Sequence, residues 1–274
     1  MSADPILDAN EDGGASELFH ENSKQRRSDL VFIERIIAAS ASPYVHQLLT
    51  RGHKRYPSAP TVSLPMDFPR AERDFDEAML TRRSIRTFTR GSLSLGEVAK
   101  LLHFAAGITG WITVDGAREQ PLRASPSAGA LYPVELYLLA VEVQGLERGT
   151  YHYDSFRGRL EVLSTSSPLA ALRRITFLDE LAGAGAVVAM TGISAKSRLK
   201  YGERGYRFTL FEAGHIAQNL LLTAHSLGLA AFAVGGFVDD ELDALLNVDG
   251  VEEVSLYLVA VGRGDGPVAP EGAG

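Results

Sequence analysis

The chain has 274 residues, 45% of them apolar and 22% charged, a balance that suits a globular protein with a sizeable core. A formal charge of −7 argues against a nucleic-acid partner, which normally requires a basic face, and no apolar run long enough to span a membrane is present. The absence of cysteine excludes thiol nucleophiles, disulfides, iron–sulfur clusters and thiolate zinc sites, so redox chemistry would have to come from a cofactor.

The opening MSADPILDANEDGG is acidic and lacks the charged and apolar regions of a signal peptide, which makes a cytoplasmic location the expectation. Residues 1–16 and 265–274 have the Gly, Ala, Pro and Asp content of tails. Residues 17–70 read as an extension lying on a larger body, its end, YPSAPTVSLPMDFP, being a Pro-rich connector of extended chain.

The body, 71–264, begins with AERDFDEAMLTRR, a helix expected to end at the Arg-Arg pair. SLSLGEVAKLLHFAAGI is a second helix, with Ser94 as N-cap and Glu97 completing a capping box. PVELYLLAVEV is a strand, and GTYHYDSFRGRLEVLS a hairpin turning near Arg157 and Gly158. SSPLAALRRITF reads as a short helix and AGAVVAMTGI, continuously apolar, as a strand buried on both faces. The longest helix is YRFTLFEAGHIAQNLLLTAHSLGL, closed by Gly228; AAFAVGGF, DDELDALL and EEVSLYLVAVG follow as strand, helix and strand. This order is α+β and not the βαβ alternation of a Rossmann domain.

Four stretches could carry chemistry. In TRRSIRTF, guanidinium forks and hydroxyls suit phosphate oxygens, and an extended run would turn Arg82, Ser84 and Arg86 to one side; a solvated arginine cluster is the other reading. In RASPSAGALYP, the small residues from Ser125 through Ser127 and Ala128 to Gly129 would let backbone amides approach a flat ligand, unless they form a plain Ser/Pro turn. Gly235 and Gly236, closing a strand, could tolerate positive φ and offer unhindered amides, or simply turn. RLKYGERGYR reads as a solvated basic turn, or as a Lys-Tyr pair that can handle a proton. His215 has no second ligand at metal-binding spacing, so a hydrogen-bonded histidine in a packed helix is expected and no metal site.

Taken in order, RRSIRTF, PSAGALYPVELY, EAGHIAQNLLLTAHSLGL, AVGGF and LYLVAVGR resemble the FMN-dependent nitroreductase superfamily. The upstream FHENSK (19–24) is similar to its SagB-type dehydrogenases, the thiazole/oxazole-forming oxidases. The resemblance implies a nitroreductase-like fold, a mainly antiparallel sheet flanked by helices, in an intertwined homodimer holding two FMN. It implies that Arg82, Ser84 and Arg86 hold the phosphate and ribityl chain, with Arg263 returning to the phosphate. Ser125, Ser127, Ala128 and Gly129 would then lie along the isoalloxazine, and Gly235 and Gly236 near its N5 edge.

In such oxidases a Lys-Tyr pair is the catalytic signature, here Lys200 and Tyr201, and Arg198 and Arg204 would favour the proton-accepting form of the lysine. The implied activity is oxidation of peptide thiazoline or oxazoline rings to azoles, with O2 reoxidising the flavin and a cyclodehydratase as a possible partner. An NAD(P)H-dependent nitro- or quinone-reductase on the same fold, or a non-catalytic scaffold subunit, are the other readings.

Overall fold

A computed structural model describes residues 14–26, 30–45, 47, 53–114 and 118–264; the expected tails, apart from residues 14–16, lie outside them. The extension carries α1 (Ala15–Asn22) and α2 (Leu30–Ala41), so helix begins inside the stretch that reads as tail. Within the connector, Thr61–Ser63 forms a short strand, β1.

Helix α3 (Phe75–Thr81) starts at Asp74, whose side chain accepts from the Glu77 amide, and stops at Arg82. Helix α4 (Leu95–Ala106) has the expected capping box between Ser94 and Glu97. A hairpin, β2 (Ile108–Val114) and β3 (Arg118–Arg123), follows. It escapes pattern reading because Gly110 and Pro121 interrupt the alternation, and a two-stranded ribbon tolerates both at its edges.

The remaining elements are β4 (Val134–Ala140), β5 (Gly149–Asp154), β6 (Arg159–Ser164), α5 (Leu169–Thr176), β7 (Ala186–Gly192), α6 (Ser194–Tyr201), α7 (Arg204–Ser226), β8 (Ala230–Val234), α8 (Asp239–Leu246) and β9 (Val254–Gly262). Seven strands form one sheet in the order β1-β6-β5-β4-β7-β9-β8, every neighbouring pair antiparallel. The α+β architecture, an antiparallel sheet flanked by helices, is thus as the sequence implies.

Strand β4 shows why both faces are apolar. Val134, Leu136 and Leu138 pack with residues of α4 and α7, whereas Tyr137 and Leu139 pack with residues of α5 and α8. At one end of the second face hydrocarbon gives way to charge: His152, fully buried, lies 3.0 Å from Glu161 and 3.6 Å from Glu135. Beside it, Tyr137 donates to Glu253 at 2.8 Å, and Lys54 from the extension pairs with the same carboxylate. Buried charges are tolerable only when paired, and here the pairing ties the connector to the sheet. Among the described residues no helix is long and apolar enough to cross a membrane.

Candidate functional site

The segment from Arg123 to Tyr132, between β3 and β4, is conformationally unusual. Gly129 (φ 63°), Ala130 (φ 51°) and Tyr132 (φ 46°) are all left-handed, a state that costs a non-glycine residue about 1–3 kcal/mol. Local bonds hold it. The Tyr132 amide donates to Ser127 Oγ at 3.0 Å, and the Arg123 amide donates to the Tyr132 hydroxyl at 3.0 Å. The Arg123 guanidinium lies 4.6 Å from the Tyr132 ring centre. Ser125 is 1% exposed, and its hydroxyl has no protein partner among the described residues.

Helix α6 lies against this segment, which corrects the reading of RLKYGERGYR as a simple turn: its first four residues end this helix and its last four begin α7. Helical pattern is weak there because charged residues dominate, and tertiary anchors supply the stability. Lys196, buried, pairs with Glu135 at 2.8 Å and also reaches the Tyr132 carbonyl at 3.4 Å. Ile193 N donates to the Pro133 carbonyl at 2.8 Å. One helical turn beyond Lys196, Lys200 and Tyr201 converge on Gly129. A Cβ on that glycine would lie 2.6 Å from Tyr201 Oη and 3.3 Å from Lys200 Nζ, so glycine is required for space as well as for φ.

Tyr201 packs edge-on against Phe208 at 5.0 Å, and burial pushes its phenol pKa up. The phenol therefore stays protonated at neutral pH. The flanking arginines are occupied elsewhere: Arg198 pairs with Glu203 at 2.7 Å and Arg204 donates to the Ser23 carbonyl at 3.1 Å.

Glu212, from α7, lies under the same segment, accepting from the Val134 amide at 3.4 Å. It is 2% exposed, and among the described residues its second oxygen has no hydrogen-bond partner. Burial raises its pKa to about 7, against the smaller opposing effects of the Ser127 hydroxyl and Arg123. Nothing in the sequence distinguished it from any other helical glutamate; its neighbours are joined only by the fold.

Residues 82–90 belong to no helix or strand and meet β8 at Ile85, whose N donates to the Ala231 carbonyl at 3.0 Å. Arg82 is half-buried, its Nη1 without a hydrogen-bond partner among the described residues, whereas Ser84 and Arg86 are exposed. Arg86 lies 5.6 Å from the Phe232 ring centre. Gly235 and Gly236 leave the far end of β8 exposed, and Gly236 has nothing within 4 Å of where a Cβ would sit. Neither adopts the positive φ that glycine there could have served; open approach is what they offer. Arg263 forms two bonds with Glu97, at 2.8 and 2.7 Å, and a third with the Ser92 carbonyl at 3.1 Å.

His215 is exposed on the outer side of α7, so it is not the packed histidine expected. The direct convergence is thus of Lys200 and Tyr201 with Gly129, while the arginine segment and the Gly-Gly pair flank β8.

Residues 79–263 match the family model described as the nitroreductase family. The chain is 34% identical over 193 residues to a nitroreductase of Methanocaldococcus jannaschii, covering 69% of this chain and 90% of that protein. It is 27% identical to the trifolitoxin-processing protein TfxB of Rhizobium leguminosarum bv. trifolii, over 87% of this chain and 64% of that one. To the microcin B17-processing protein McbC of Escherichia coli it is 32% identical, over 46% and 49%. Among solved structures, the E. coli microcin synthetase McbBCD complex with truncated pro-MccB17 bound superposes with a TM-score of 0.58 at 25% identity, covering 82% of this chain and 83% of the matched one. A nitroreductase from Anabaena variabilis superposes with a TM-score of 0.69 at 22% identity, over 90% and 45%. With the model spanning most of the described body and the sheet and helices arranged accordingly, the chain belongs to the nitroreductase family.

Proposed function

We propose that the protein is an FMN-dependent dehydrogenase that oxidises thiazoline or oxazoline rings in a peptide to thiazoles or oxazoles. The observation that carries this is the convergence of Lys200 Nζ and Tyr201 Oη on Gly129, at the rim of the small-residue segment. Similarity to proteins that process trifolitoxin and microcin B17 supports a peptide substrate.

The residues present fit FMN. Arg82 offers a buried guanidinium nitrogen, without a partner among the described residues, for a phosphate, with Ser84 and Arg86 in the same segment. Ser127, Ala128 and Gly129 form a surface of small residues against which a planar ring can lie, with Ser125 buried behind them, and Gly235 and Gly236 leave their amides open. Arg263 would have to leave Glu97 to reach the phosphate.

Aromatising an azoline breaks two ring C–H bonds, releasing one hydride equivalent and one proton. Bound FMN would supply the hydride acceptor and hand the electron pair to O2. The protein must then take the proton and hold the ring. Lys200 is the basic group placed to accept it. Tyr201, kept protonated by burial, donates a hydrogen bond that orients the ring. Lys196 and Glu135 fix the helix carrying both side chains, so little reorganisation is needed at the moment of transfer. A second copy of the chain and, in a biosynthetic setting, a cyclodehydratase that makes the azoline are the partners this reading expects.

The deciding experiment is Lys200→Ala: azole formation should be abolished while FMN stays bound, and retained turnover would overturn the assignment. Rapid flavin bleaching by NADPH without azoline oxidation would favour a nitro- or quinone-reductase instead.

A further inference from the structure

The side-chain bonds of the FHENSK segment to the rest of the chain are concentrated on one place, the start of α7. Ser23 is 2% exposed at the end of α1, where the last carbonyls of a helix lack intrahelical donors. Two arginines of α7 supply them. Arg207 donates through Nε to Ser23 Oγ at 2.7 Å and through Nη2 to the His20 carbonyl at 2.6 Å; Arg204 donates to the Ser23 carbonyl at 3.1 Å. Phe19 closes the contact with its ring edge-on to Tyr206 at 5.5 Å and 5.6 Å from the Arg207 guanidinium carbon.

These contacts grip the first turn of α7, the segment immediately after Tyr201. Between them lies only the elbow Gly202–Glu203, where Gly202 (φ 58°) donates to the Arg198 carbonyl at 2.8 Å. Arg35 of α2 lies over that elbow, its Nη1 being 2.5 Å from where a Gly202 Cβ would sit. Tyr201 also lines a cavity of about 240 Å3 whose opposite wall is built by the extension, including Ser23 and Phe32. A side chain that must meet Gly129 closely is therefore held from behind by an element outside the family body, which begins at residue 79.

We infer that Ser23 and Arg207 are positioning residues: docking of the FHENSK segment onto the start of α7 fixes the Gly202–Glu203 elbow and thereby sets Lys200 and Tyr201 against Gly129. The inference deepens the proposed function and rests on that reading of Lys200 and Tyr201. It gives Arg204 and Arg207, otherwise plain surface charges, a single task, and explains why FHENSK and the Lys-Tyr pair occur together in one chain.

The test uses the FMN-loaded full chain. Because it has no cysteine, Leu199→Cys, at a position 41% exposed beside Lys200, can carry a single nitroxide label. In that background Ser23→Ala and Arg207→Met should broaden the label's motion, keep FMN content at the parent level, and lower kcat for azoline oxidation at least about tenfold with KM within roughly twofold. Ser23→Thr, which keeps the hydroxyl, should restore both readouts. An unchanged label spectrum in Ser23→Ala and Arg207→Met, or unchanged kcat despite a mobile label, would overturn the inference. If the parent itself shows no azoline turnover, the functional reading fails, while an altered label spectrum rescued by Ser23→Thr would still establish that the segment sets the elbow.

Discussion

Gly129 and Tyr201 define each other: the glycine occupies left-handed backbone at φ 63°, and a Cβ there would stand 2.6 Å from the tyrosine hydroxyl. Gly129→Ala therefore combines two effects. The φ strain costs about 1–2 kcal/mol, a fall of a few degrees in Tm for a chain of this size. The added methyl also displaces Tyr201 and Lys200, and a misplacement of about 1 Å can cost roughly 100-fold in rate. Azoline turnover should drop by about that factor with FMN retained, measured as kcat beside flavin absorbance. A loss in turnover no larger than the loss in folded fraction would show that the contact does not matter for chemistry.

Glu212 makes a pH-dependent prediction. Its pKa is raised by burial from the usual carboxylate range to about 7, so the folded chain holds a proton there that the unfolded chain releases. Its stabilising share is fully present below the unfolded value and is lost as pH rises through about 7. The shift corresponds to about 3 kcal/mol as an order of magnitude. Glu212→Gln, neutral at every pH, should be more stable than the parent at pH 8 and close to it at pH 4. Melting curves of both proteins across that range check this, and parallel curves would mean that the carboxyl is relieved in some other way.

The strands, the capping box and the long helix were legible because their signals are local: alternation, β-branched runs, and Ser94 three residues before Glu97. Arg82, Gly129 and Lys200 could be singled out only through a resemblance, since each is ambiguous in its own neighbourhood. What sequence did not reveal was set by contacts distant along the chain. Helix α6 has no apolar stripe and depends on Lys196 meeting Glu135 across 61 positions. Glu212 lies under Ser127 only because α7 crosses the start of β4, and Arg207 reaches Ser23 from 184 positions away. Arg263 could be aligned with a phosphate-binding residue, but its pairing with Glu97 depends on how α4 packs beside the end of β9.

That pairing gives a third prediction. Glu97→Gln keeps a side chain able to complete the capping box and removes the charge that engages Arg263. Glu97 is buried, but Gln can still accept from the guanidinium, so the loss of charge should cost at most about 1.5–3 kcal/mol of stability. If Arg263 serves the phosphate, its release should tighten FMN binding by about tenfold, a change of about 1.4 kcal/mol. Titration of apoprotein with FMN, followed by flavin fluorescence, measures it. Unchanged affinity would leave Arg263 as a structural partner of α4.

The fourth prediction concerns association. One side of α7 is buried through Ile216, Ala217 and Leu220, but its opposite side exposes Phe211 at 56% and Leu210 at 40%. Near the other end of the helix an apolar groove of about 750 Å3 lies between α3, α4 and α7, bordered by Phe68, Phe75, Phe104 and Leu222. Exposed apolar side chains of this kind are where a second copy could pack. The proposed homodimer would bury them, bringing the exposed rim of the candidate site against a second copy. Sedimentation equilibrium should therefore give about twice the chain mass of 29.5 kDa. Phe211→Glu places a charge where the partner must pack, and unlike a core substitution it leaves the monomer's own contacts intact. It should yield folded monomer with unchanged far-ultraviolet circular dichroism and weakened FMN retention. A monomeric parent, or a Phe211→Glu dimer of undiminished stability, would remove this face as the site of association.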